Sequence, residues 1–234
     1  MGVQENIRRL REKIAQAAVR AGRNPDEVRL VAVTKGVPPE RVKEALAAGV
    51  RACGENRVQE LLAKQPLLPA GTEWHFIGHL QTNKVKYIID RINLLHSLDS
   101  WRLAREIDRL AGRRGKEMEV LVQVNVSGEK TKSGLAPEEV LDFLEALGEL
   151  PALRARGLMT IAPAVRDPEE ARPVFRHLRL LLERARARLP GARLDCLSMG
   201  MSGDYPVAVE EGASILRIGT AIFSRTEEES YERG

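Results

Sequence analysis

The sequence predicts an α/β fold: a single closed (β/α)8 TIM barrel over residues 1–234, with an extra helix at its N-terminus. Three observations point there. Eight short apolar runs recur along the chain, helical patterns separate most of them, and 234 residues suit one barrel, since such domains reach roughly 250. The chain opens with an amphipathic stretch, 3–21, whose Ile7, Leu10, Ile14, Ala17 and Ala18 recur at helical spacing. The strand candidates are 29–34, 52–55, 74–77, 94–97, 119–125, 156–160, 195–199 and 215–218. Helical patterns fall at 39–48, 58–63, 83–90, 101–113, 137–149, 168–189 and 205–211. Pro39, Pro137 and Pro168 mark helix starts, where the missing N–H is no loss. Gly22, Gly49 and Gly212 mark helix ends, where a left-handed cap suits glycine. The Arg-rich stretch 172–188 interleaves Leu178, Leu181 and Leu182 with charge, as a helix packed outside a barrel does. No G-x-G-x-x-G follows a strand and no Walker sequence occurs, which argues against the common open-sheet nucleotide folds.

Composition excludes several function classes. Hydrophobic residues at 43% and charged residues at 30% are ordinary globular usage, far from a disordered chain. Apolar stretches such as 30–33 are too short for a membrane span, which needs about 20 residues. The charged N-terminus carries no secretory pattern, so a cytoplasmic protein is expected. Lys+Arg 37 against Asp+Glu 33 gives a net charge of +4 with no basic block, and aromatics make up only 4%. No nucleic-acid partner is therefore expected, because stacking platforms would be sparse. Cys53 and Cys196 lie far apart in apolar runs and predict neither a disulfide nor a metal site. His75, His96 and His177 have no ligand spacing and read as packing or surface residues.

In a barrel the chemistry sits at the carboxyl ends of the strands. Lys35 follows the first run, where partial desolvation would favour the neutral nucleophilic amine; the alternative is a lysine reaching into solvent. Ser198-Met-Gly-Met-Ser202 and Arg217-Ile-Gly-Thr220 are small-residue turns after the last two runs, where barrels commonly hold phosphate; the alternative is ordinary tight turns. An amine beside a phosphate cup suggests pyridoxal phosphate, whose ring nitrogen needs a protein partner. Arg217 could supply it, or could instead pair with Glu210 or Glu211. As a permanent cation it would leave the ring nitrogen unprotonated and weaken the ring as an electron sink.

Taken together, Leu30-Val-Ala-Val-Thr-Lys35, Gly54-Glu-Asn56, His75-Phe-Ile-Gly-His-Leu-Gln81, Lys132-Ser-Gly-Leu135, Gly157-Leu-Met-Thr160 and the two turns above resemble the pyridoxal phosphate homeostasis family (YggS/PROSC). The likeness runs from the first strand to the last. It implies a fold similar to the N-terminal domain of alanine racemase, with pyridoxal 5'-phosphate held by Lys35 as an internal aldimine. It further implies Ser198, Met199, Gly200, Ser202, Gly219 and Thr220 around the phosphate, Arg217 at the ring nitrogen, and Asn56, His79 and Met159 lining the ring. Lys132 is implied as a second amine for cofactor exchange. The implied role is vitamin B6 homeostasis and delivery to apo enzymes, without robust catalysis and as a monomer. A weak racemase-like amino-acid enzyme is the alternative. Against it, alanine racemases use a tyrosine from a second domain, and few residues follow Thr220; Tyr87 reads as helical, Tyr231 as tail and Tyr205 as the start of a helix.

Overall fold

The computed structural model describes residues 2–129 and 132–224. Eight parallel strands close on themselves: β1 Arg29–Val33, β2 Ala52–Glu55, β3 Glu73–Phe76, β4 Leu94–Leu98, β5 Met118–Gln123, β6 Leu153–Met159, β7 Cys196–Ser198 and β8 Ile215–Ile218. Each strand pairs with the next, and β8 returns to β1 through Arg29↔Ile215 to Ala32↔Ile218. The α-helices are α1 Val3–Arg20, α2 Pro39–Ala47, α3 Val58–Lys64, α4 Val85–Ile88, α5 Trp101–Arg113, α6 Val140–Leu147, α7 Arg172–Arg188, α8 Tyr205–Glu210 and α9 Thr220–Phe223. The expected barrel and its extra leading helix are both present. Among the described residues no helix is long and apolar enough to cross a membrane.

The strands alternate inward and outward as the pleat requires. Ala32, Cys53, Leu95, Val120, Leu158, Leu197 and Leu216 face the helices and join the large apolar shell. Val31, Ala52, Leu94, Leu121, Met159, Cys196 and Ile215, one from each of seven strands, form a separate apolar layer inside the barrel. Such layers are what fill a barrel of this size. The layer toward the carboxyl ends is polar, and the site grows from it.

Helix α1 buries Val3, Ile7, Leu10, Ile14, Ala17 and Ala18, and Asn6 Nδ2 donates to the carbonyls of Ile222 and Ser224, at 3.0 Å each, tying α1 to α9. Gly22, Gly49 and Gly212 adopt φ of +67°, +83° and +98° at helix ends, as glycine allows at little cost. Cys53 and Cys196 are buried free thiols, both pushed up to about 12 by burial, which makes them inert packing groups.

Among the differences from the sequence reading, three stand out. Strand β6 begins at Leu153, because Arg154 and Arg156 find Glu117, Glu119 and Asp195 on neighbouring strands and segments and need no helix or loop to stay hydrated. Residues 83–90 form only a short α4, preceded by a 3-10 turn at Thr82–Lys84. Helix α9 was not anticipated, since four residues carry no readable period. The polar tail beyond Ser224, with Tyr231, lies outside the described residues.

Candidate functional site

The carboxyl ends of the strands open onto a cavity of about 330 Å³. Lys35, Asn56, His79, Lys132 and Arg217 all line it. Four of these five are expected site residues and the fifth is the expected second amine, so a barrel closed from distant segments has gathered them at one mouth. Sequence reasoning missed Gln123, Ile161 and Met201, which line it too. Gln123 was legible as a polar break at the end of an apolar run, and Met201 lies within the turn 198–202 already singled out; Ile161 carried no signal.

Lys35 departs from its expected setting. Strand β1 ends at Val33, and Lys35 stands exposed in the turn that follows, so the desolvation expected of a strand-end amine is not provided there. The turn itself is clamped. Thr34 Oγ1 donates to Glu55 Oε1 at 2.7 Å, the Gly36 N–H donates to Glu60 Oε2 at 2.9 Å, and Lys64 Nζ donates to the Thr34 carbonyl and, at 2.6 Å, to Glu55 Oε1. Glu55 is buried, and burial pushes its carboxyl up against the pull of Lys64 and Thr34. Lys64 is thus a buried partner, supplied by α3, for a carboxylate that would otherwise stand alone.

Arg217 lies on β8 and is buried, with its guanidinium pulled down to about 10 by desolvation. Glu210 and Glu211 do not pair with it, contrary to the alternative considered; they are held by Arg20, Arg172, Arg176 and Arg179. Its partners are instead Ser198 Oγ at 2.6 Å from Nη1 and the Thr160 carbonyl at 2.9 Å from Nη2. Beyond Ser198 the contacts continue: His96 Nδ1 at 2.9 Å from Ser198 Oγ, His75 Nδ1 at 2.9 Å from His96 Nε2, and Glu73 Oε1 at 3.0 Å from His75 Nε2. His75 and His96 are therefore interior polar groups rather than mere packing, while His177 is a surface residue.

The two turns meet through Ser202, whose Oγ accepts from the Ala221 N–H at 3.1 Å, and Gly219 caps α9 at its N-terminus ahead of Thr220. Gly200 is required by geometry: φ is +93°, and a Cβ there would lie 2.6 Å from Ala208 Cβ. Ser198, Met199 and Met159 are buried, and neither they nor Gly200, Ser202, Gly219 and Thr220 line the cavity. The Ser198 hydroxyl is committed to Arg217 and His96, Met199 faces the helices, and Met159 belongs to the inner apolar layer. His79 is exposed, with Nδ1 at 3.4 Å from Asp99 Oδ2. Lys132 pairs with Glu129 at 2.7 Å. Asn56 Oδ1 is buried without a hydrogen-bond partner, and an orphaned acceptor at a cavity wall is a place for a ligand donor. Gly78 makes that wall: a Cβ on it would sit 2.3 Å from the Asn56 carbonyl oxygen.

His96 makes the fold sensitive to acid. Burial first, and then the nearby Arg217 and Arg29 guanidiniums, hold its pKa well below 6.5 in the native state. The unfolded chain binds a proton near pH 6.5 that the native state refuses, so this contribution is complete above pH 6.5 and lost as pH falls below it. The limiting slope is about 1.4 kcal/mol per pH unit. Urea unfolding at pH 7.5 and 5.5 should show the parent losing about 1 kcal/mol more than His96→Gln; equal losses would mean that His96 does not titrate on unfolding.

The family model described as the alanine racemase N-terminal domain matches residues 3–226. A relative from Aquifex aeolicus (strain VF5), named pyridoxal phosphate homeostasis protein, is 46% identical over 224 residues, covering 95% of this chain and 98% of its own. One of the same name from Escherichia coli (strain K12) is 38% identical, covering 94% of this chain and 95% of its own. Among solved structures, PipY of Synechococcus elongatus PCC7942, with pyridoxal phosphate bound, superposes with a TM-score of 0.82 at 37% identity, covering 95% of this chain and all of that one. A barrel matched over almost its whole length by relatives of one name, with a lysine and an arginine gathered at its mouth, belongs to the pyridoxal phosphate homeostasis family within the alanine racemase N-terminal-domain fold.

Proposed function

We propose that this protein binds pyridoxal 5'-phosphate at the barrel mouth and holds it in reserve for vitamin B6 homeostasis and delivery to apo enzymes. The observation that carries the reading is that an accessible primary amine, Lys35, and a buried guanidinium, Arg217, line one cavity. The residues fit the group: its aldehyde calls for an amine, its ring nitrogen for a donor, and its polar substituents for partners such as the orphaned Asn56 Oδ1. When bound, the group supplies an electrophilic aldehyde and an electron-accepting ring. The chain supplies the rest. Lys35 is the covalent anchor, Arg217 donates to the ring nitrogen, Asn56 and His79 flank the ring, and Ser202, Gly219 and Thr220 present the phosphate site where the two turns meet. Gly200 lets the first of those turns pack. Ser198, Met199 and Met159 act from beneath, through Arg217 and the barrel packing.

Storage rather than turnover is supported by the openness of the site. Lys35 is exposed, whereas turnover of reactive intermediates gains from expelling water. Neither described tyrosine, Tyr87 or Tyr205, lines the cavity, so among the described residues no phenol stands opposite Lys35 as a second acid–base group. A weak racemase-like activity is the second reading, favoured by the Lys132 amine in the same cavity; in the first reading that amine assists cofactor exchange. Exposed large apolar side chains such as Val19, Leu67, Tyr87 and Leu180 are scattered over separate segments, which supports a monomer. Light scattering checks this.

Borohydride reduction of the protein loaded with pyridoxal phosphate, followed by peptide mass mapping, tests the site. The pyridoxyl adduct is expected on Lys35. A protein that stays colourless and unmodified refutes the reading, and deuterium appearing at Cα of alanine in heavy water would select the racemase-like alternative.

A further inference from the structure

The contacts running inward from Arg217 have a direction that their chemistry imposes. An arginine side chain carries donors and no acceptor, so at the 2.6 Å contact it is Ser198 Oγ that accepts. The hydroxyl has one proton to give, and the Nδ1 of a neutral His96 at 2.9 Å can take it. That requires the His96 proton to sit on Nε2, from which it is donated to His75 Nδ1 at 2.9 Å. His75 in turn must carry its proton on Nε2 and donate it to Glu73 Oε1 at 3.0 Å. Glu73 is a carboxylate held down to about 2, chiefly by this bond from His75 and also by Arg29, and a carboxylate only accepts. With both rings neutral, the acceptor-only carboxylate fixes every proton: His75 gives its one N–H to Glu73, so its Nδ1 accepts from His96 Nε2, and His96 Nδ1 accepts from Ser198. An imidazolium at either histidine would make Ser198 Oγ accept from both Arg217 and His96 Nδ1 and would leave the hydroxyl proton without this partner.

We propose that Ser198, His96, His75 and Glu73 form a one-way hydrogen-bond chain that positions the Arg217 guanidinium at the cavity, with both histidines neutral as their Nε2–H tautomers. The four links come from β7, β4 and β3, and Arg217 from β8, so the chain crosses the bore between β7 and β4. With the second bond from Nη2 to the Thr160 carbonyl at 2.9 Å, both terminal nitrogens are pinned and the guanidinium plane has one orientation. Apolar side chains fill the neighbouring inner layer, and a buried polar chain is costly unless every member is satisfied. Here each is. The groups facing the histidines are Arg217, Arg29 and Glu73. Only the ligand half of the test below rests on the pyridoxal phosphate reading.

The test begins with the free protein, labelled with 15N-histidine and 15N-arginine. Nuclear magnetic resonance at pH 8 is expected to show both buried histidines as Nε2–H tautomers, His96 unchanged down to pH 6, and one arginine with separate, slowly rotating Nη signals. An Nδ1–H tautomer at either histidine, or a His96 imidazolium forming by pH 6, overturns the proposal whatever the cofactor does. Two variants then separate positioning from bulk packing. His96→Gln can still accept from Ser198 through Oε1 and donate to His75 through Nε2, whereas His96→Leu can do neither. The leucine variant should average the Nη signals, weaken pyridoxal phosphate binding about tenfold or more and move the absorption maximum of the bound chromophore; the glutamine variant should stay within about threefold of the parent. Equal behaviour of the two variants refutes the positioning role. If His96→Leu does not fold, the parent tautomers and the glutamine variant still decide. If the parent itself binds no pyridoxal phosphate, the functional reading fails while the tautomers and Nη signals still judge the chain.

Discussion

Lys35→Ala is expected to abolish covalent pyridoxal phosphate binding and leave the barrel intact. The substitution removes the amine from the mouth of the cavity, and nothing in the fold leans on it: Lys35 is exposed and makes no hydrogen bond or ion pair among the described residues. Exposed positions of this kind change stability by about 0.5 kcal/mol or less. The turn keeps its shape, since Thr34 and Gly36 rather than Lys35 are the residues gripped by Glu55, Glu60 and Lys64. The visible band should therefore vanish completely while the thermal midpoint stays within about 2 °C of the parent. Retention of the band, with the adduct mapped to Lys132, would move the anchor to the other amine in the cavity. A large fall in the midpoint would instead make Lys35 a structural residue.

Gly157→Ala is expected to be the most damaging small substitution in the sheet. Gly157 sits in β6 at φ +148°, and a Cβ built there would lie 1.9 Å from the Cys196 carbonyl oxygen, with the Cys196 C and N at 2.8 and 3.0 Å. These are backbone atoms of β7, so no side chain can swing aside; β6 and β7 must separate where Gly157 pairs with Cys196. The β5 register explains the geometry: Val120 pairs with Ala155 and Leu121 with Gly157, leaving Arg156 as an extra residue. A bulge of this kind bends the strand and tightens its twist. The cost should be about 3–5 kcal/mol, through strain and lost pairing together. Urea unfolding of Gly157→Ala against Ala155→Gly, which relaxes the neighbouring position without a clash, would measure it; a loss under about 1 kcal/mol would mean that the sheet yields more easily than its backbone contacts imply.

Much of this was legible before folding. The period-two and helical patterns, with glycine and proline at their ends, determined the order of strands and helices, because those signals depend only on neighbours along the chain. The bounds of β2, β8 and α5 follow directly from such runs. Lys35 and Arg217 were legible as site residues because a barrel places every strand end on one face, whereas Asn56 and His79 came from the likeness to the family. The start of β6 was not, since its arginines are neutralised by carboxylates remote in sequence. Nor was the exposure of Lys35, which depends on where β1 stops against β2.

By itself, then, the sequence determined the class of fold, its element order and which strand ends carry chemistry; these are local properties of pattern and residue type. Only the tertiary structure decided that His75, His96 and Ser198 align behind Arg217, that Glu210 and Glu211 serve other arginines, and that Gly157 marks a bulge. Those facts depend on which side of a closed sheet each residue faces and on what stands across the bore, and contacts between β3, β4, β7 and β8 bring together residues more than a hundred positions apart. No local pattern encodes such pairings, because the partners meet only when β8 closes against β1.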